Sequence, residues 1–230
     1  MKTKDLFVLL GTILVFLPFF LIDSVYQWYN DFNTNHAFIM SFLKFAILAT
    51  FGESIGSRIK TGNYMNKGFG LIPRAVIWGL LGITIKIAFD VFAGGTIIFL
   101  TKAGYAEAPE VFKSLDFSVG KLFVAFCISF FMNVVYAPFM MTLHKITDMH
   151  IDANKGAIKT LYSPIAFGQH MSNLNWNVQW NFVFKKTIPF FWIPMHTITF
   201  ILPENYRVLF AALLGIALGI IMAIASLKSK

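Results

Sequence analysis

The chain is predicted to fold as an all-α, polytopic transmembrane helical bundle of about six spans with both termini cytoplasmic. Three observations carry that expectation. Six apolar stretches have lengths suited to crossing a bilayer, at 6–22, 38–57, 75–100, 121–143, 187–202 and 208–226. The Lys and Arg residues between them fall on alternate connections. With 57% hydrophobic and 13% charged residues and a mean hydropathy of +0.68, the 230 residues are too apolar for one soluble domain.

The first stretch, 6–22, contains no charge and as a helix spans about 26 Å, close to the ~30 Å hydrocarbon core. Lys2 and Lys4 ahead of it also fit a signal peptide. The residues after Ile22, Asp23-Ser24-Val25-Tyr26, offer no small-x-small cleavage site, so a retained helix is expected. Asp5, the lack of Arg and the all-round apolarity separate it from a mitochondrial presequence. The second stretch holds Lys44 and Glu53, nine apart and therefore on opposite faces of a helix. Lys44, near the outer end, is expected to snorkel. Glu53 sits between Gly52 and Gly56, a small-xxx-small pair that admits a neighbouring backbone, and is expected to face protein as a cap, an Arg partner or a functional group.

The third stretch carries Lys86 and Asp90, four apart on one face and able to neutralise each other. A charge near the bilayer centre costs at least ~2.5 kcal/mol, so the pair reads either as the polar lining of a pore or as a structural ion pair. The fourth stretch contains Cys127, Asn133 and Pro138. A polar, aromatic-studded connection at 148–184 follows, too long for a structureless loop and expected to lie on the membrane with a short helix at 153–161 or 178–186. The fifth stretch is interrupted by Pro189 and Pro194, and a re-entrant or partial span there is the alternative to a full crossing. In the last, Gly215 and Gly219 form a second small-residue stripe, for packing within the chain or for a homo-oligomer.

Orientation follows from the basic residues. With the amino terminus inside, thirteen of the nineteen Lys and Arg are cytoplasmic, among them Arg58, Lys60, Lys67 and Arg74 in the second connection and Lys145, Lys155, Lys159, Lys185 and Lys186 in the fourth. The outer connections hold few, diluted by Glu107, Glu110, Asp116 and Glu204. The chain reads as one integral membrane domain, 1–230, in which 6–22 is an additional amino-terminal span on a bundle at 26–226.

Several classes of chemistry find no support. One cysteine builds neither an internal disulfide nor a thiolate zinc site, and the five histidines show no metal-ligand spacing. No phosphate loop or nucleophile elbow occurs, so neither an enzyme nor a cofactor or metal is expected. The +8 charge, spread over cytoplasmic connections, fits anionic lipid headgroups rather than nucleic acid. Trp28, Tyr29, Trp176, Trp180 and Trp192 lie near expected helix ends and suit interfacial anchoring.

The carboxyl third reads Trp192, His196, Thr199-Phe200, Pro203 and Tyr206-Arg207. It resembles the closing signature of the Mpv-seventeen and twenty-two-kilodalton peroxisomal membrane protein family, with His196 in place of Gln, Thr199 in place of Asn and one residue missing before Pro203. Asn133 with Ala137-Pro138 is similar to that family's Asp-Gln-x-x-x-Ala-Pro, Met132 replacing the Asp and Asn133 the Gln. Asp90 resembles the Asp of Trp-Tyr-x-x-Leu-Asp, with Ile85-Lys86 replacing the aromatic pair. Gly52-Glu53 resembles a Gly-Asp element, and Trp28-Tyr29 with His36 the opening of the family pattern. The resemblance covers roughly 28–225. It implies a small multi-helix membrane protein with channel-like permeability, and it directs attention to Glu53, Asp90, Asn133, His196 and Arg207.

The expected function is therefore a channel or facilitator for small solutes or ions, with Lys86, Asp90 and Glu53 setting the field along its path. The alternative is a non-transporting structural or interaction protein that binds a partner or anionic lipid through 148–184. The expected location is a bacterial cytoplasmic membrane, with the mitochondrial inner or peroxisomal membrane as the alternative.

Overall fold

The structure, a computed structural model, describes residues 3–228, with side chains described up to Ile220. Lys2 and Lys230, counted in the charge pattern, lie outside the described residues. All regular structure among the described residues is helical. Among the described residues four helices are long and apolar enough to cross a membrane: Thr3–Leu21 (α1), Ala37–Thr61 (α3), Leu71–Lys102 (α4) and Val119–Ala153 (α6). The remaining elements are α2 (Asp23–Asn35), α5 (Ala108–Lys113), a 3₁₀ turn at Ile158–Leu161, α7 (Phe167–Ser172), α8 (Trp176–Val178), a π-helix at Gln179–Trp192, α9 (Ile193–Ile201) and α10 (Glu204–Lys228).

The chain divides into two units, Met1–Met40 and Ser41–Lys230. In the first, α1 buries none of its residues, as befits a helix apolar on every side. It meets α2 through an edge-on contact of Phe19 with Tyr29, ring centroids 5.6 Å apart. The more polar α2 stacks Trp28 on Phe32.

In the second unit α6 is the central element, packed against both α4 and α9. Its buried face places Val124, Ala125, Ile128, Met132, Ile146 and Ile151 in the core at 2% exposure or less, following helical spacing. Ser118 starts the helix by accepting from the Lys121 amide at 3.0 Å, a side-chain N-cap. At the other end, the loop before α4 interlocks with the turn after α6. Gly70 has φ +70° and Gly156 φ +69°, and a Cβ on Gly70 would lie 2.8 Å from Gly156 Cα, so both the backbone angles and the approach require glycine. This contact fixes the first turn of α4 beside the last turns of α6.

The α3–α10 contact is equally close. A Cβ on Gly52 would meet Ile216 Cα at 2.7 Å, and one on Gly219 would meet the Gly52 carbonyl oxygen at 2.6 Å. The two small-residue stripes read from the sequence therefore pack on each other. Lys44, expected to snorkel, is instead buried at 6% exposure.

The 148–184 connection is more helical than expected. α6 continues through Ala153, and the short elements that follow are the 3₁₀ turn, α7 and α8, with the π-helix beginning at Gln179. The fifth apolar stretch belongs to one continuous helical path in which the π-helix, its windings closed by bonds such as Ile193 N–H to the Ile188 carbonyl, passes directly into α9.

Candidate functional site

Three helix ends bring their ionised residues together. Glu53 stands two turns before the end of α3, Arg74 lies in the first turn of α4, and His144, Asp148 and Asp152 recur every fourth residue on one face of α6. Arg74 is the hub. Its Nη1 donates to Glu53 Oε2 at 2.7 Å and to Asp148 Oδ1 at 2.6 Å, its Nη2 to Asp152 Oδ1 at 3.1 Å, and its Nε to the Phe69 carbonyl at 2.7 Å. The planar fork of arginine suits this arrangement, because several acceptors are held at once with fixed geometry.

The second oxygen of Glu53 is also satisfied. Oε1 accepts from Trp78 Nε1 at 2.8 Å and from His144 Nε2 at 3.1 Å. A carboxylate only accepts, so the His144 proton sits on Nε2. The imidazole packs against the Trp78 indole with centroids 4.2 Å apart. One ligand atom each from Glu53, His144 and Asp148 lies within 4.8 Å of the others, a spacing that a metal ion can use. Arg74 Nη1 already bridges the two carboxylates, however, and His144 Nε2 is turned toward Glu53, so the cluster carries its own cation in the place a metal would take.

This cluster is the mouth of a cavity of about 740 Å³ enclosed by α3, α4, α6, the π-helix, α9 and α10. The wall beyond the mouth is largely apolar and aromatic, with Phe45, Trp78, Ile85, Met132 and Trp192. Tyr136 takes part in the wall with its hydroxyl engaged by Thr84 Oγ1 at 2.7 Å.

The far end holds Asn133 and His196. Ser129 Oγ donates to the Ile193 carbonyl at 2.7 Å and ties α6 to α9 there. Asn133 Nδ2 donates to the Ser129 carbonyl at 2.8 Å and lies 3.1 Å from His196 Nδ1. The His196 ring stacks on Trp192 at 5.1 Å and meets Phe89 edge-on at 5.7 Å. Phe89 packs in turn on Phe200, which is fully buried. No residue of α4 beyond Phe89 and none of α6 before Met132 belongs to the wall. The cavity thus ends at these aromatic rings, while α4 continues to Lys102.

Comparison with protein-family models, with curated proteins and with solved structures finds no match to this chain.

Of the site and packing residues singled out in the sequence, Glu53, Asn133, His196, Gly56, Gly215 and Gly219 belong to the cavity wall. Lys86 and Asp90 do pair, Nζ to Oδ1 at 2.5 Å, but neither belongs to the wall, and the Asp90 side chain is 51% exposed. Arg207 lies elsewhere, donating to the Leu202 carbonyl at 2.9 Å and covering the Phe112 ring at 4.4 Å, with Asp90 and Glu204 attracting its charge. Trp192, read as an interfacial anchor, is 7% exposed and part of the cavity wall. Sequence reasoning missed Arg74, Trp78, His144 and Asp148 as a site. Two signals were present: Arg74 and Trp78 are four apart, as are His144, Asp148 and Asp152 in turn, each set on one helix face.

Proposed function

We propose that this protein is an integral membrane facilitator for small solutes, with the cavity as its solute path. The observation that supports this most is the asymmetry of the cavity: an ionised mouth with the exposed residues Lys60 and Asp152, and a buried end closed by Phe89, His196 and Phe200. Protein interiors pack to crystal density, and an inert bundle has no use for a hollow of 740 Å³. A vestibule that stops inside the bundle at stacked rings is the form of a gated path in its closed state.

In this reading the four long apolar helices are joined by the π-helix with α9 and by α10 to make six spans, with both termini and the cavity mouth cytoplasmic, as the Lys and Arg distribution favours. The family resemblance supports the same reading, since Glu53, Asn133 and His196, three positions it points to, share one wall. A bacterial cytoplasmic membrane is the proposed location, with the mitochondrial inner or peroxisomal membrane as the alternative.

A second reading, a structural or lipid-binding protein, draws on a different observation. The carboxylates of the mouth are all paired with Arg74, and the segment after α6 exposes Ile158, Tyr162, Phe167 and Trp176 near Lys155 and Lys159 in sequence. That combination suits an anionic membrane surface. Stopped-flow light scattering of proteoliposomes separates the two: entry of small uncharged solutes faster than into protein-free liposomes supports the facilitator, and folded protein that leaves entry unchanged favours the structural reading.

A further inference from the structure

We propose that the cavity takes an uncharged amphiphile, an apolar body bearing one hydrogen-bonding oxygen, and that His196 Nε2 is the group that anchors this oxygen. The inference rests on the facilitator reading and names its solute class.

The charge of the wall comes first. Its ionisable residues are Glu53, Asp148 and Asp152 against Lys60, Arg74 and Lys145, together with His144 and His196. Three carboxylates are balanced by three cations. At the mouth, moreover, Arg74 is bonded to all three carboxylates and His144 to Glu53. The formal charges of the wall cancel; Lys60 and Lys145 stand at the mouth outside the Arg74 ion pairs, and past them an entering ion would give up its hydration to a wall of aromatic and aliphatic side chains. Burying an ion without a partner costs far more than the wall returns. A sugar or another densely hydroxylated molecule meets the same obstacle, because each of its buried hydroxyls needs a partner.

Two polar atoms at the far end have no protein partner among the described residues: Trp192 Nε1, which is shut inside the packed wall, and His196 Nε2. Asn133 is fully buried, and its Nδ2 donates to the Ser129 carbonyl and toward His196 Nδ1. His196 Nδ1 lies 3.1 Å from the Asn133 amide nitrogen and 3.3 Å from the Asn133 oxygen; taking the shorter contact as the bond, Nδ1 accepts and a neutral imidazole then carries its proton on Nε2. His196 is 9% exposed and belongs to the cavity wall, and both of its hydrogen-bond contacts to the protein are made through Nδ1, to Asn133. Nε2–H is left as a donor without a protein partner among the described residues. A buried unmade hydrogen bond is unfavourable, and an alcohol or carbonyl oxygen on the ligand completes it.

The dimensions agree with this chemistry. Asn133 and Asp148 are fifteen residues apart on α6, about 22 Å of helix. A volume of 740 Å³ lies in the range of pockets that enclose most of a small organic ligand, of roughly 300 to 1,000 Å³. With its oxygen on His196, the apolar body extends along Phe45, Met132 and Trp192 toward Trp78 at the mouth.

The test is tryptophan quenching in the full chain reconstituted in nanodiscs, using ω-bromodecanol as the probe and decanol as competitor. Bromodecane, ω-bromodecanoate and the matching trimethylammonium compound serve as comparisons. Saturable quenching that decanol reverses is expected, with bromodecane and both charged analogues roughly tenfold weaker or more, the tenfold being one hydrogen bond to the ligand oxygen. In His196→Leu the alcohol is expected to fall to the affinity of bromodecane. The comparison of alcohol with bromoalkane in the wild-type protein needs no variant and stands even if His196→Leu fails to fold. Equal binding of alcohol and bromoalkane, or tighter binding of either charged analogue, overturns the proposal. Solute or ion flux without amphiphile binding overturns the solute class and leaves the facilitator standing. Saturable, His196-dependent binding in a protein that passes no solute upholds the site and overturns the facilitator.

Discussion

At the cavity mouth one guanidinium faces three carboxylates, and its removal leaves Glu53 and Asp148 close together with their cation gone. Breaking a fully buried pair from one side costs about 3 to 5 kcal/mol, because the remaining charge stays desolvated. Here the Arg74, Glu53 and Asp148 side chains are partly buried and His144 stays beside both carboxylates, which sets the loss at the low end of that range. Arg74→Met is therefore expected to lower the thermal midpoint in detergent strongly, and Arg74→Lys to recover little of it, since an ammonium cannot span the same acceptors. Lys86→Met is expected to lower it less: Asp90 is half exposed and keeps the attraction of Arg207. Equal losses in Arg74→Met and Lys86→Met would refute this ranking. Glu53 was legible in the sequence as an ionisable group beside close-packing glycines, and its Arg partner was one of the alternatives. The identity of that partner was not legible, since Arg74 lies 21 positions away and its other carboxylates 74 and 78 away. In a linear reading Arg74 is simply one more cytoplasmic cation.

Helix α3 depends on glycine where it crosses α10. Gly52→Ala forces a Cβ against backbone atoms of Ile216 and Gly215, which cannot rotate away as a side chain would. Overpacking of this kind costs about 1 to 3 kcal/mol. Gly94 in α4 is the control, because a Cβ there meets nothing within 4 Å, and alanine is the better helix former by about 1 kcal/mol. Thermal unfolding is expected to fall for Gly52→Ala and to hold or rise for Gly94→Ala; the reverse order would remove the α3–α10 contact from the account. Both glycine stripes were legible because residues four apart share a helix face. Their meeting was not, since nothing in either stripe names its partner. The π-helix was equally hidden: Pro189 and Pro194 signalled an irregular helix but not fourteen residues of wider winding ahead of α9. The Lys86–Asp90 pair shows the opposite limit, with spacing that gave the contact and could not say that it faces away from the cavity.

Across the whole molecule, hydropathy and charge made the membrane class and the long helices legible, whereas the cavity exists only through contacts between helices far apart in sequence. The proposed orientation can be read by thiol labelling in a Cys127→Ser background. Glu107→Cys, between α4 and α5, is expected to react with an impermeant maleimide added to spheroplasts, and Lys60→Cys, at the cavity mouth, only after permeabilisation. Labelling of both from outside would contradict six spans with cytoplasmic ends. The central claim, that solute passes through the cavity and is stopped at its aromatic end, is tested most directly by comparing wild type, Phe89→Ala and Lys86→Met in proteoliposomes loaded to equal amounts of folded protein. Uncharged-solute entry is predicted to rise in Phe89→Ala, where the ring that closes the cavity is removed, and to stay at the wild-type rate in Lys86→Met, whose side chain lies off the wall. Unchanged entry in Phe89→Ala, or a rate set by Lys86 instead, would contradict the account.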